Sequence, residues 1–217
     1  MSNRELSVHQ EHELLGRLED QGLDKDSAQS VIDSKELAAQ VVGFIKSGGQ
    51  ASGTVVAPVC FPTWKTIKLG TYKDVKALRK AMENAGIKIG DYAGSMLKHS
   101  MFTLASAETD IELVRVSAAD LGFPSGATRA KIYDAARAKG LSVCPAEVGP
   151  QVRLQYLDQP NGEWFLIAME PIPDSDGNPG VFSVELDGGG RWLRSGDGLA
   201  ENVWGGDGRW VFCRSKK

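Results

Sequence analysis

Histidine and cysteine are scarce in this chain, with three of each among 217 residues. Cys60, Cys144 and Cys213 are odd in number and share no short spacing. That argues against a disulfide framework and against a CxxC metal site, and for reduced thiols. His9 and His12 stand at i and i+3 on an expected helix, but a metal needs a third ligand and His99 is the one histidine left. No metal and no cofactor is therefore expected. No apolar run approaches the roughly 18 residues of a membrane span. The opening MSNRELSVHQEHELL lacks the apolar core of a signal peptide. Internal repeats are absent, and so are low-complexity tracts beyond the glycines of the last turns. A global basic excess is lacking too, since net charge is −3. The expectation is a cytoplasmic protein with no membrane partner.

The charge that is present is unevenly placed. Residues 1–50 carry 5 basic and 9 acidic groups, whereas residues 64–100 carry 8 basic and 3 acidic. A cationic middle thus sits in an acidic chain. Hydrophobic residues at 41% and charged residues at 24% suit an ordinary globular core.

Periodicity divides the chain. Residues 4–22 predict an amphipathic helix, with Leu6, Leu14, Leu15 and Leu18 near one face. A second helix is expected from Asp24 or Asp26 to Gly48-Gly49. The boundaries follow as a helical segment 1–49, a linker 50–63 that includes QASGTVVAP, and an α+β region 64–217. In the middle, WKTIKLG predicts a strand, YKDVKALRKAMENA a helix ended by Gly86, DIELVRV a strand, and RAKIYDAARAKG a helix capped by Thr128. From residue 151 onward five strands are expected, at 151–156, 163–172, 181–187, 191–194 and 209–214. Their separators DQPNG, DSDGNPG and DGGG hold the Asn-Gly and Asp-Gly pairs that tolerate positive φ in hairpins. The fold class is α+β: a helical N-terminal segment, a mixed α/β middle, and a C-terminal antiparallel meander of about five strands. In 164–169 both alternating phases are apolar, so both faces of that strand are expected to be covered, with middle-segment helices across one side.

Several stretches resemble conserved hypothetical proteins of bacteria and phages. They are SVIDSKELAAQVVGFIKSGG, TIKLGTYKDVKALRKAMENAGIKIGDYA, CPAEVGPQVRLQY, DQPNGEWFLIAMEPI and the RWVFCRSKK tail. The resemblance implies a bacterial, cytoplasmic origin and brings no fold, activity or partner with it.

Four constellations could carry function. Cys144 lies in SVCPAEVGP with Glu147 three residues on; His99, if close, would complete a Cys–His–carboxylate set. The plainer reading makes Cys144 a buried small hydrophobe and Glu147 a residue that accepts from backbone amides. Asp174, Asp176 and Asn178, with Glu185 twelfth, partly match a calcium loop, but Pro179 stands where glycine is required, which favours a hairpin turn. The order from residue 117 to 169 suits a winged helix with DQPNG at the wing tip. Its basic residues Arg129, Lys131 and Arg137, extended by Lys73, Lys76, Arg79 and Lys80, would contact nucleic acid, against the alternative of a solvated cationic face. Tryptophans 164, 192, 204 and 210 mark either a small sheet's core or a sugar- or peptide-binding face, with Trp204 the one expected to reach a partner. No catalytic motif is complete. The function expected is a non-enzymatic binding or regulatory module for a protein or nucleic-acid partner, with an enzyme built on Cys144, Glu147 and His99 as the alternative.

Overall fold

The computed structural model describes residues 8–20, 24–46 and 61–215. The chain divides into two compact units, Met1–Val59 and Cys60–Lys217. The first holds α1 (Val8–Asp20), α2 (Lys25–Asp33) and α3 (Lys35–Lys46). The single long helix expected after Asp24 is two, broken at Ser34, whose carbonyl accepts the Ala38 N–H at 2.9 Å as the new helix begins. Residues 50–60 of the expected linker lie outside the described residues, as does Cys60.

The second unit is α+β. In chain order it has β1 (Lys65–Leu69), α4 (Val75–Asn84), β2 (Lys88–Ile89), α5 (Asp91–Met96), β3 (Thr109–Ser117), β4 (Ala127–Thr128), α6 (Arg129–Ala138), β5 (Leu141–Ser142), α7 (Val148–Gln155), β6 (Trp164–Ile167), β7 (Ile172–Pro173), β8 (Pro179–Asp187), β9 (Gly190–Asp197), β10 (Val203–Trp204) and β11 (Arg209–Arg214). Among the described residues these strands build a nine-stranded mixed sheet in the order β1-β3-β11-β6-β8-β9-β2. Here β5 pairs with β11 and β7 with β8, while β4 and β10 form a separate pair.

Two expectations are corrected. Residues 151–156 are not a strand: 151–155 are the last five residues of α7 and Tyr156 is its C-cap. Pro150 sits in the first turn of that helix, where its missing N–H leaves no bond unmade. Val148 and Val152, four apart, are both fully buried, so the i, i+4 pattern prevails over the alternation of Val152, Leu154 and Tyr156. The meander is also incomplete. β6, β8 and β9 run antiparallel in sequence, but β11 returns to the middle, antiparallel to β3 and parallel to β6.

Helices cover both faces rather than one. Leu166 is opposite both Ser183 and Trp210, so these three share a face, and Phe182 lies on the other. On the first face, Tyr133 of α6 meets Trp210 and Phe212 edge-on at 5.5 and 5.6 Å, and its hydroxyl donates to the Met169 carbonyl. On the second, Gly149 of α7 lies directly against the Phe182 ring. Phe165 through Met169 are accordingly at most 1% exposed.

A Cβ at position 149 would lie 2.7 Å from Phe182 side-chain atoms. Gly149→Ala is expected to cost about 1–3 kcal/mol by forcing α7 off the sheet. In a thermal melt that is a drop of roughly 2–12 °C; an unchanged melting temperature would show that the contact yields freely.

Candidate functional site

The three residues expected to form a nucleophilic set lie in three different settings. Cys144 is 4% exposed, and its Sγ donates to the Val211 carbonyl at 3.5 Å and accepts from Cys213 Sγ at 2.8 Å. Burial, reinforced by the neighbouring Cys213, pushes its thiol well above the ordinary range. No imidazole is among its hydrogen-bond partners. His99 lies in the segment after α5, where its Nδ1 accepts the Met101 N–H at 3.2 Å.

Glu147 is 1% exposed at the start of α7. Its Oε1 accepts from the Gly70 N–H at 2.8 Å and from Gln151 Nε2 at 2.9 Å, and its Oε2 from the Ala105 N–H at 2.7 Å. Gln151 donates onward to Thr71 Oγ1 at 2.8 Å. Gln155, one turn later, donates to Gln151 Oε1 at 3.0 Å. The Gln155 amide also accepts from the Lys68 N–H at 3.0 Å and donates to the Lys68 carbonyl at 2.9 Å. Glu147, Gln151 and Gln155 recur every four residues and so share one helix face. They make a polar ladder along the edge of β1, in which a side-chain amide does what a neighbouring strand would do. Glu147 thus accepts from backbone amides, as the plainer reading of it holds.

The basic residues divide into two groups. Those of α4 and its approach converge. Asp74 caps α4 by accepting the Ala77 N–H at 2.7 Å, and Leu78 and Met82 turn inward. The polar side of α4 then forms one wall of a cleft of about 1220 Å³. Lys73, Lys76, Arg79, Lys80 and Lys98 line it with His99; the acids along it are Asp74 and Glu83. Ile87, Ile89, Leu97 and Phe102 make its apolar floor. Arg79 is anchored by donation to the Gly94 carbonyl at 3.2 Å, and Lys80 pairs with Glu83 at 3.4 Å. Among the described residues, no carboxylate pairs with Lys73, Lys76 or Lys98.

The basic residues of α6 do not join them at this cleft. The Arg129 guanidinium lies 4.7 Å above the Tyr133 ring, and Arg137 bridges Asp134 at 3.2 Å and Glu170 at 3.6 Å. Lys131 is exposed. The winged-helix order fails as well: β5 and α7 stand between α6 and β6, so DQPNG links a helix to a strand and is no hairpin tip. DSDGNPG is the turn between the paired strands β7 and β8, with Asp174 Oδ1 accepting from the Asp176 and Asn178 N–H groups at 2.8 and 3.0 Å.

Trp204 is half-buried, packed edge-on against Trp210 at 5.5 Å, with its indole N–H enclosed and unpartnered. The exposed tryptophan is Trp164, at 46%. Sequence reasoning also missed Arg153, fully buried on α7. It donates to the Gln159 side chain and to the carbonyls of Glu185 and Tyr156. Burial, with Arg191 nearby, lowers its pKa to about 10. An arginine between Val152 and Leu154 carries no sequence signal of burial.

Among the described residues, no group of three or more His, Cys, Asp or Glu is placed to hold a metal ion, and no helix is long and apolar enough to cross a membrane. No family model, curated protein or solved structure matches the chain.

Two measurements check these assignments. Glu147→Ala leaves the Gly70 and Ala105 N–H groups enclosed without an acceptor, and is expected to cost about 2–5 kcal/mol in urea unfolding; a loss under about 0.5 kcal/mol would show that water replaces the carboxylate. Cys144, held as the neutral thiol, is expected to react with iodoacetamide at pH 7 far more slowly in the native protein than in urea, and faster as pH rises past the usual thiol range near 8.5. Native labelling as fast as in urea would show an accessible, activated thiol.

Proposed function

We propose that the protein is a non-catalytic binding module whose α4 cleft holds a single-stranded nucleic acid. The observation that carries this reading is the convergence of Lys73, Lys76 and Lys98, unpaired among the described residues, around a cleft with an apolar floor. Cations left without carboxylates contribute little to stability, so a cluster of them suits an anionic ligand. The floor adds a second requirement: the ligand must bring apolar surface as well as charge. A single strand does both, with phosphates at the lysine rim and bases turned inward. A duplex keeps its bases stacked inside and offers the floor nothing. The net charge of −3 confines the attraction to this face. The enzymatic alternative draws no support from a Cys144 thiol whose partners are a carbonyl and Cys213. A bacterial cytoplasmic setting rests on the resemblance of the SVIDSKELAAQVVGFIKSGG and DQPNGEWFLIAMEPI stretches.

Anisotropy of a labelled oligothymidylate is expected to report binding that weakens with salt. If about four phosphates are engaged, the slope of log K against log salt is about −3. Replacing Lys73, Lys76 and Lys98 together by alanine is expected to flatten that slope by about 2 units. Absence of binding at low salt sinks the reading, as does equal or tighter binding of polyglutamate at the same site.

A further inference from the structure

Beside the cleft, across the edge of the sheet, lies a row of residues with no part in the core. Lys88 of β2 is opposite Trp192 of β9; Trp192 is opposite Glu185 of β8, and Glu185 is opposite Trp164 of β6. Residues directly opposite share a face, so these four form one line across four strands, roughly 14 Å long at the usual strand spacing. Trp164 at one end is 46% exposed. The Arg194 guanidinium lies 4.3 Å from the centre of the Trp192 ring, and the Lys88 ammonium 5.1 Å from it. The Trp192 indole N–H donates to Asp187 at 3.2 Å, which fixes the ring. Arg194 bridges both Glu185 and Asp187 at 3.2 Å.

The row and the cleft share the strand β2. Ile89 lines the cleft, and its neighbour Lys88 lies over Trp192 on the opposite face. β2 is two residues long and ends the sheet, so it is the lip between the two surfaces. The charge changes across that lip. The cleft side has cations in excess, whereas on the row Glu185 and Asp187 offset Arg194 and Lys88. A neutral surface of flat groups is poor for phosphates and well suited to bases. Trp164 offers an open indole, and Arg194, held by Glu185 and Asp187 with its guanidinium 4.3 Å from the Trp192 ring centre, offers a second planar group; bases stack on both kinds.

We propose that the Lys88–Trp192–Glu185–Trp164 row is the second half of the nucleic-acid track: a strand held by its phosphates in the α4 cleft crosses the β2 lip and lays its bases on the row. This rests on the cleft reading above. It assigns the protein a longer site than the cleft alone, with an electrostatic half and a stacking half that respond to different variables.

The test uses the full chain and oligothymidylates of about 4 and about 12 nucleotides. Trp164→Ala is expected to weaken binding of the longer oligomer by about five- to a hundredfold, with its salt slope unchanged, and to leave the shorter one unaffected. Trp164→Phe is expected to restore most of the loss, because it keeps a stacking face. Tryptophan fluorescence should be quenched by the longer oligomer in the wild type and less in Trp164→Phe. Trp164 is at the surface, so an unchanged melting temperature will show that the variants fold. If Trp164→Ala binds the longer oligomer as tightly as the wild type while the lysine substitutions weaken it, the row is not part of the track and the cleft reading survives. If neither oligomer binds the wild type, both fall.

Discussion

Glu147, bound to two backbone amides and to Gln151, is the contact from which much of the second unit takes its position. β1 is an edge strand, and an edge leaves N–H and C=O groups that must be satisfied. The α7 ladder satisfies them at Lys68 and Gly70, then holds Thr71. Gly70 turns there with φ +69°, and a Cβ would strike the Ala107 carbonyl, so the chain's exit from β1 is fixed on both sides. Four residues beyond Gly70, Asp74 starts α4. The wall of the cleft is therefore placed by hydrogen bonds that span 77 and 80 residues of sequence. Enclosing a carboxylate is costly unless its oxygens find donors, and here each oxygen accepts from a backbone amide.

Charge is handled differently in different places. Arg153 is enclosed without a carboxylate and meets carbonyls and an amide instead. Arg137 and Arg194 each meet two acids. Lys73, Lys76 and Lys98 of the α4 cleft meet none among the described residues. Exposed pairs contribute little to stability, so leaving these cations unpaired costs the fold little while it concentrates positive potential in one concavity.

What the sequence made legible follows the range of each signal. The YKDVKALRKAMENA helix, the DIELVRV strand and the helix after Thr128 form where local periodicity and capping place them. The Asp-Gly turns set the β8–β9 hairpin, whose register is local. α7 was hidden because its buried face carries Glu147 and Gln151, polar residues that periodicity counts as outward, and because Pro150 reads as a helix breaker unless its place in the first turn is known. The central place of β11 depends on pairings with β3 and β6 that no local pattern encodes. The charge count pointed to the middle of the chain, but Lys98 joins Lys73 and Lys76 only through the fold. Cys144 and Glu147, three residues apart, face different surroundings, and Trp164 and Trp204 exchange the exposures that their strand and loop settings suggested.

The place of β11 also bears on the order in which this unit can assemble during synthesis. It is the last strand of the unit to leave the ribosome, yet it joins the β1–β3 pair to the β6–β8–β9 group. Without residues 209–214 the β1–β3 pair and the β6–β8–β9 group have no strand pairing that joins them in the sheet. Trp210, Val211 and Phe212, all fully buried, fill the place between those two groups. Long-range pairing of this kind folds slowly and leaves half-formed edges open to other chains meanwhile. The sheet is keyed from its centre by the last of its described strands in chain order.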